Sequence, residues 1–176
     1  MFIQHIIFSL KEGGKAAIVV PTPFLTKGKG IETTIRKYLI TNKYLRGVVT
    51  MPKDMFATTG TNVSIIIIDK QNTSDKVMLM DASKLGEKVK EDGKNQKTVL
   101  KPEEIEKIVN TFNNEEVVDD FSILVSYEDL AKKNCSFSAG QYFEVKIDYV
   151  DITEDEFNTR MTNYKQTLSE QFEESH

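Results

Sequence analysis

The spacing of hydrophobic positions changes period several times along the chain, and each change marks an element. Phe2, Ile3, Ile6, Ile7 and Leu10 recur every three or four residues, which predicts the end of an amphipathic helix. Ala16 to Pro21 (AAIVVP) is apolar on both faces, as a buried parallel strand would be. Helical spacing returns over Ile31 to Thr41, with Ile31, Ile35, Tyr38 and Leu39 on one stripe. A second apolar run, Leu45 to Pro52, passes through a small-residue loop, Ala57 to Asn62, into Val63 to Lys70. The four isoleucines Ile65 to Ile68 need cover on both faces and predict an interior strand. Strand, helix, strand, loop, strand is the order of an open α/β sheet. The chain opens on a covering helix with no strand before it, so it is expected to be the back part of a longer fold.

Downstream, Asp75 to Ala82 reads as one more strand. Residues 83–101 are nearly all polar, with Gly86 and Gly93, and are expected to form a mobile loop. Pro102 opens a helix at its favoured first position, with Ile105, Ile108, Val109 and Phe112 on its apolar face. Phe121 to Val125 alternates as a strand, and Ser126 can cap a helix from Tyr127, with Asp129 at its third position. Thr153 is a good cap for a final helix of about five turns. On it Phe157, Met161, Tyr164, Leu168 and Phe172 make one narrow seam. That seam either folds back on the sheet or docks on another subunit; its narrowness and terminal position favour docking. The expected organisation is therefore a sheet domain over 1–82, a polar loop over 83–101, an α+β extension over 102–150 and a docking helix over 151–176.

Composition changes this picture little. With 39% hydrophobic and 28% charged residues in 176, the chain has an ordinary folded, water-soluble makeup. It has no run near the ~18 apolar residues of a membrane span, and its start lacks the charged segment of a signal peptide. A single cysteine, Cys135, excludes an internal disulfide framework and fits a reducing cytoplasm. Two histidines and one cysteine, far apart, offer no metal-binding spacing.

Charge is more informative. Residues 1–70 hold ten Lys or Arg against four Asp or Glu, and residues 71–176 hold thirteen against twenty-three. Charge alone leaves two readings of the basic half open: a surface that faces an anion such as nucleic acid, or an ordinary solvated one. Lys27-Gly28-Lys29-Gly30 has neither the spacing of a Walker loop nor that of a dinucleotide fingerprint, which argues against a Rossmann oxidoreductase and favours a flexible basic surface loop over a phosphate cradle. Phe56, just past Pro52, fits either core or a site.

Three blocks in this order resemble the methylation subunit of type I restriction–modification systems. They are Leu10 to Pro21 (LKEGGKAAIVVP), Leu45 to Lys70 with its MPKDMFATTGTNVSIIIIDK portion, and Phe121 to Phe143 with its Gln141-Tyr142 pair. The resemblance implies the C-terminal half of a Rossmann-like sheet in an adenine-N6 DNA methyltransferase that uses S-adenosylmethionine. It also implies DNA, a specificity subunit and a restriction (nuclease) subunit as partners. Phe56 matches the aromatic that stacks on a flipped base in related enzymes, and Gly60, Thr61 and Asn62 match the loop beside it.

Two parts of the family pattern are missing. The four prolines follow Val20, Thr22, Met51 and Lys101, so there is no Asn-Pro-Pro-aromatic motif, and there is no glycine-rich cofactor loop. Both would lie upstream of Met1, and the chain by itself is expected to bind no cofactor and to be inactive. The competing reading is a non-catalytic α/β scaffold that docks through the Phe157 to Phe172 seam.

Overall fold

β-Branched side chains fill both faces of a central strand, and the sheet assembles around it. In the computed structural model, which describes residues 2–56, 62–91, 95–144 and 153–174, Val63–Asp69 is β3. It lies between β1 (Lys15–Pro21) and β2 (Leu45–Thr50) and runs antiparallel to both. β4 (Lys76–Asp81) lies parallel to β2, and β7 (Ser122–Ser126) closes that side antiparallel. The order is β1-β3-β2-β4-β7, so β1, β2 and β4 share one direction.

The pleat sends alternate side chains to two separate cores. Ile66 and Ile68 pack on one face with Ile3 and Ile7 of α1 (Phe2–Ser9), Ile35 and Leu39 of α2 (Ile31–Thr41) and Leu130 of α4 (Tyr127–Lys132). Ile65 and Ile67 turn to the other, where Val49, Met78 and Met80 meet Ile108 and Phe112 of α3 (Pro102–Asn113). Each fully buried Leu or Ile contributes about 1.5–3 kcal/mol, so both layers hold the sheet. α3 comes so close that a Cβ on Gly47 would sit 2.4 Å from Phe112 Cε2 and 2.8 Å from the Met78 carbonyl oxygen. Only glycine fits there.

Caps follow their residue types. Ser126 Oγ accepts from the Asp129 N–H at 3.1 Å at the start of α4. Thr153 Oγ1 accepts from the Glu156 N–H at 3.3 Å at the start of α5 (Glu154–Glu174). The described residues divide into two compact units, one ending at Phe143 and one holding α5.

Four expectations change. β1 is not buried on both faces: among its residues only Val20 is buried, and Ala17 and Val19 are exposed. It is the outer strand of the described sheet, with one neighbour and an uncovered flank. On α2, Ile31 and Tyr38 face solvent while Arg36 and Ile40 are buried beside Ile35 and Leu39. The inward face is rotated because polar acceptors, not apolar surface, receive it at Arg36. On α3, Ile105 and Val109 are exposed and Ile108 and Phe112 turn inward.

Finally, residues 83–101 are not a structureless loop. β5 (Glu87–Glu91) and β6 (Asn95–Val99) pair as an antiparallel hairpin. Its polarity hides it from a hydrophobic-pattern reading, because hydrogen bonds and one buried threonine hold it. Gly86 enters it at φ 84°, the left-handed region, with room beside Thr98 only for a hydrogen.

Candidate nucleic-acid interface

In an open α/β sheet the loops past the carboxyl ends of parallel strands carry ligands. Here that end belongs to β2 and β4. Thr50 and Asp81 are register partners there, and the Ala82 N–H donates to the Thr50 carbonyl at 2.9 Å. The segment leaving β2 starts from a fixed base. Met51 N–H donates to the Val63 carbonyl at 3.0 Å, and Thr22 N–H donates to the Asn62 carbonyl at 2.8 Å. Beneath, the Thr22 and fully buried Ser64 hydroxyls share a hydrogen bond of 3.0 Å.

The hairpin β5–β6 walls this end. Thr98, buried, donates its N–H to the Asp54 carbonyl at 2.9 Å, which ties β6 to the segment after β2. Glu104, in the first turn of α3, accepts from the Gly86 N–H at 2.9 Å and the Lys101 N–H at 2.8 Å. The Gly86 bond, then the Lys101 bond, hold its carboxyl below the usual range.

Between these walls lies a cleft of about 490 Å³. Thr50, Asn62, Ser83 and Thr98 line it, together with Lys53, Lys84 and Lys88, and no carboxylate among the described residues does. All three lysines are exposed.

Phe56 is 50% exposed and lies outside both core clusters of the described residues. Asn62 is half-buried on the cleft wall. Gly60 and Thr61 lie outside the described residues. On α5, Phe157, Met161, Tyr164, Leu168 and Phe172 are all exposed. Among the described residues no cluster of His, Cys, Asp and Glu could hold a metal ion, and no helix is long and apolar enough to cross a membrane.

One residue that organises this end is illegible in the sequence. Arg36 has no exposed surface. Its Nε donates to the Cys135 carbonyl at 2.8 Å, Nη2 to the Lys27 carbonyl at 2.6 Å, and Nη1 to the Phe24 carbonyl. The guanidinium lies 5.8 Å from the Phe24 ring centroid and 5.9 Å from that of Phe137. Burial lowers its pKa from the ordinary value, though arginine stays charged. It thus ties the turn after β1 to the segment after α4.

A family model, N-6 DNA methylase, matches residues 1–151. The chain belongs to the N-6 DNA methylase family. Among curated members, the type I restriction enzyme MpnII methylase subunit of Mycoplasma pneumoniae is 32% identical over 142 residues, which cover 80% of this chain and 25% of that protein. The MjaIX methylase subunit of Methanocaldococcus jannaschii is 28% identical over 185 residues, covering 99% and 32%. The chain therefore spans about a quarter to a third of these methylases. A solved type I methyltransferase subunit from Streptococcus thermophilus superposes with a TM-score of 0.71 at 30% identity, over 81% of this chain and 30% of that one. The EcoKI M protein superposes with a TM-score of 0.58 at 23% identity over 77% of this chain and 36% of that one, which shows the shared fold alone. The mixed sheet is thus part of the Rossmann-like fold of these methylases.

Proposed function

We propose that this chain is the part of a type I modification methylase that faces the target base and its strand. It forms one wing of an adenine-N6 methyltransferase sheet. The residues that grip S-adenosylmethionine and the adenine amino group lie outside these 176. The observation that carries this reading is the flank of β1, which is unpaired among the described residues. Its middle, Ala16 to Val20, has no charge or proline. Edge strands that face water are normally blunted by such devices, so this flank is suited to receive another strand.

S-adenosylmethionine carries a sulfonium and an ammonium, and a cleft lined, among the described residues, by three lysines and no carboxylate disfavours both. The residues present here do not fit the cofactor, and no step of methyl transfer is assigned to them. Phe56 is proposed to stack on the extruded adenine, beside Gly60, Thr61 and Asn62. Its exposure on a segment with an anchored base supports that role. In the intact methylase, Phe56→Ala is expected to cut methylation about 10- to 100-fold, the equivalent of about 1–3 kcal/mol of stacking, with stability changed by no more than ~0.5 kcal/mol. Equal losses of stability and activity would return Phe56 to the core.

DNA, the specificity subunit and the restriction subunit are the proposed partners, with α5 docking on the specificity subunit. The five exposed apolar side chains of α5 support this. Tyr164→Glu with Leu168→Glu in the intact methylase should weaken capture by that subunit at least ~30-fold, since central anchors carry about 2 kcal/mol or more each. Unchanged capture would defeat the docking role.

A further inference from the structure

The hairpin and its cleft have a charge pattern that the base-facing reading does not use. The whole chain carries a net charge of −4, with 27 carboxylates. Among the described residues the cleft nevertheless has Lys53, Lys84 and Lys88 in its lining and no carboxylate. The nearest acids in sequence are engaged or turned to other use. Asp81 Oδ1 accepts from the Ser83 N–H at 2.9 Å. Glu87, between Gly86 and Lys88, pairs with Lys101 Nζ at 2.6 Å. Asp54, next to Lys53, is not among the lining residues of the cleft. Among the described residues no ion pair holds any of the three lysines.

These lysines come from separate parts of the chain. Lys53 follows β2, Lys84 precedes the hairpin, and Lys88 is on β5. Thr50, Ser83 and Asn62 add hydroxyl and amide donors between them. Three cations with neutral donors, and no competing carboxylate among the described lining residues, match a string of phosphodiesters. Lysine serves such a group as a point charge, without the bidentate geometry that reads a base edge. Phe56 is only four residues past Pro52 in the cleft wall, at most about 14 Å of chain. An anionic backbone held in the cleft would therefore lie within reach of the residue proposed to stack on its base.

We propose that the cleft between the β2 and β4 ends and the β5–β6 hairpin binds DNA backbone phosphates through Lys53, Lys84 and Lys88, with the hairpin acting as a clamp arm. This rests on the DNA-facing reading above and adds the residues and the ligand group. The clamp contributes affinity that is blind to sequence; it positions the strand and specifies nothing.

The test is the salt dependence of duplex binding by the full 176-residue chain. Fluorescence anisotropy with a labelled duplex of about 20 base pairs, between about 25 and 200 mM salt, gives the slope of log K against log salt. The triple variant Lys53→Gln, Lys84→Gln, Lys88→Gln is compared with Lys11→Gln, Lys37→Gln, Lys76→Gln. The second set makes the same charge change at exposed lysines away from the cleft. Each phosphate contact contributes about 0.9 to the slope, so the cleft triple should be shallower by about 2 to 3, with the control unchanged. Equal flattening by both sets overturns the assignment to this cleft while DNA binding itself stands. An unchanged slope in the cleft triple overturns it too, and a wild-type chain that binds no duplex overturns both the cleft and the DNA-facing reading. Free deoxyadenosine monophosphate serves as the second ligand. If it binds the cleft as tightly as the duplex does, the site is a nucleotide pocket and the backbone clamp is wrong.

Discussion

Arg36→Leu is expected to destabilise the sheet unit by about 3–5 kcal/mol, from buried carbonyls left without donors together with lost packing. The substitution keeps an apolar stem and removes the side-chain donor of the Phe24 and Cys135 carbonyls, while the Lys27 carbonyl keeps the Thr33 hydroxyl at 2.7 Å. Each buried acceptor left without a donor costs about 1–3 kcal/mol, and the two are too close to add independently. The site also holds unfavourable backbone in place. Asn134 and Cys135 both sit at φ 54°, a conformation that costs a non-glycine residue roughly 1–2 kcal/mol. The Cys135 carbonyl faces the guanidinium in that state. Arg36→Lys should recover only part of the loss, because one ammonium cannot span three acceptors in the guanidinium plane. Urea denaturation reads the effect. With a slope of about 2 kcal/mol per molar, the Leu variant's midpoint should fall by roughly 1.5–2.5 M. A shift below ~0.5 M would show that water or rearrangement satisfies these carbonyls as well as Arg36 does.

The parts of the fold driven by apolar pattern were legible before the structure. The Ile65 to Ile68 run demanded an interior strand, and β3 has a core on each side. The Ser126 and Thr153 caps follow from hydroxyl chemistry at a fixed offset, and both hydrogen bonds are present. What escaped was held by polar bonds between distant residues. Arg36 reads as the solvated side of an amphipathic helix, and only the fold brings it to Cys135, 99 residues away. The β5–β6 hairpin has almost no apolar signature. Its fastenings, Thr98 to Asp54 and Gly86 to Glu104, span 44 and 18 residues. β1 misled for the opposite reason. An apolar strand reads as buried, whereas here its far flank lacks a neighbour among the described residues. The basic half of the chain hinted at an anionic partner, but the cleft draws Lys84 and Lys88 from the acidic half, so a simple division by sequence could not find it.

Whether this wing can work without the rest of a methylase is settled by methyl transfer. No Asn-Pro-Pro sequence occurs in these 176 residues, and the contacts to S-adenosylmethionine and the adenine amino group are proposed to lie in another part of the methylase. The assay supplies purified chain, labelled S-adenosylmethionine and unmethylated DNA, with and without a second polypeptide carrying the remainder of a type I methylase subunit and its specificity subunit. Incorporation at background from the chain alone, rising once the complementing polypeptide is added, is the predicted result. Label entering adenine above background from the chain alone would contradict the account at its root.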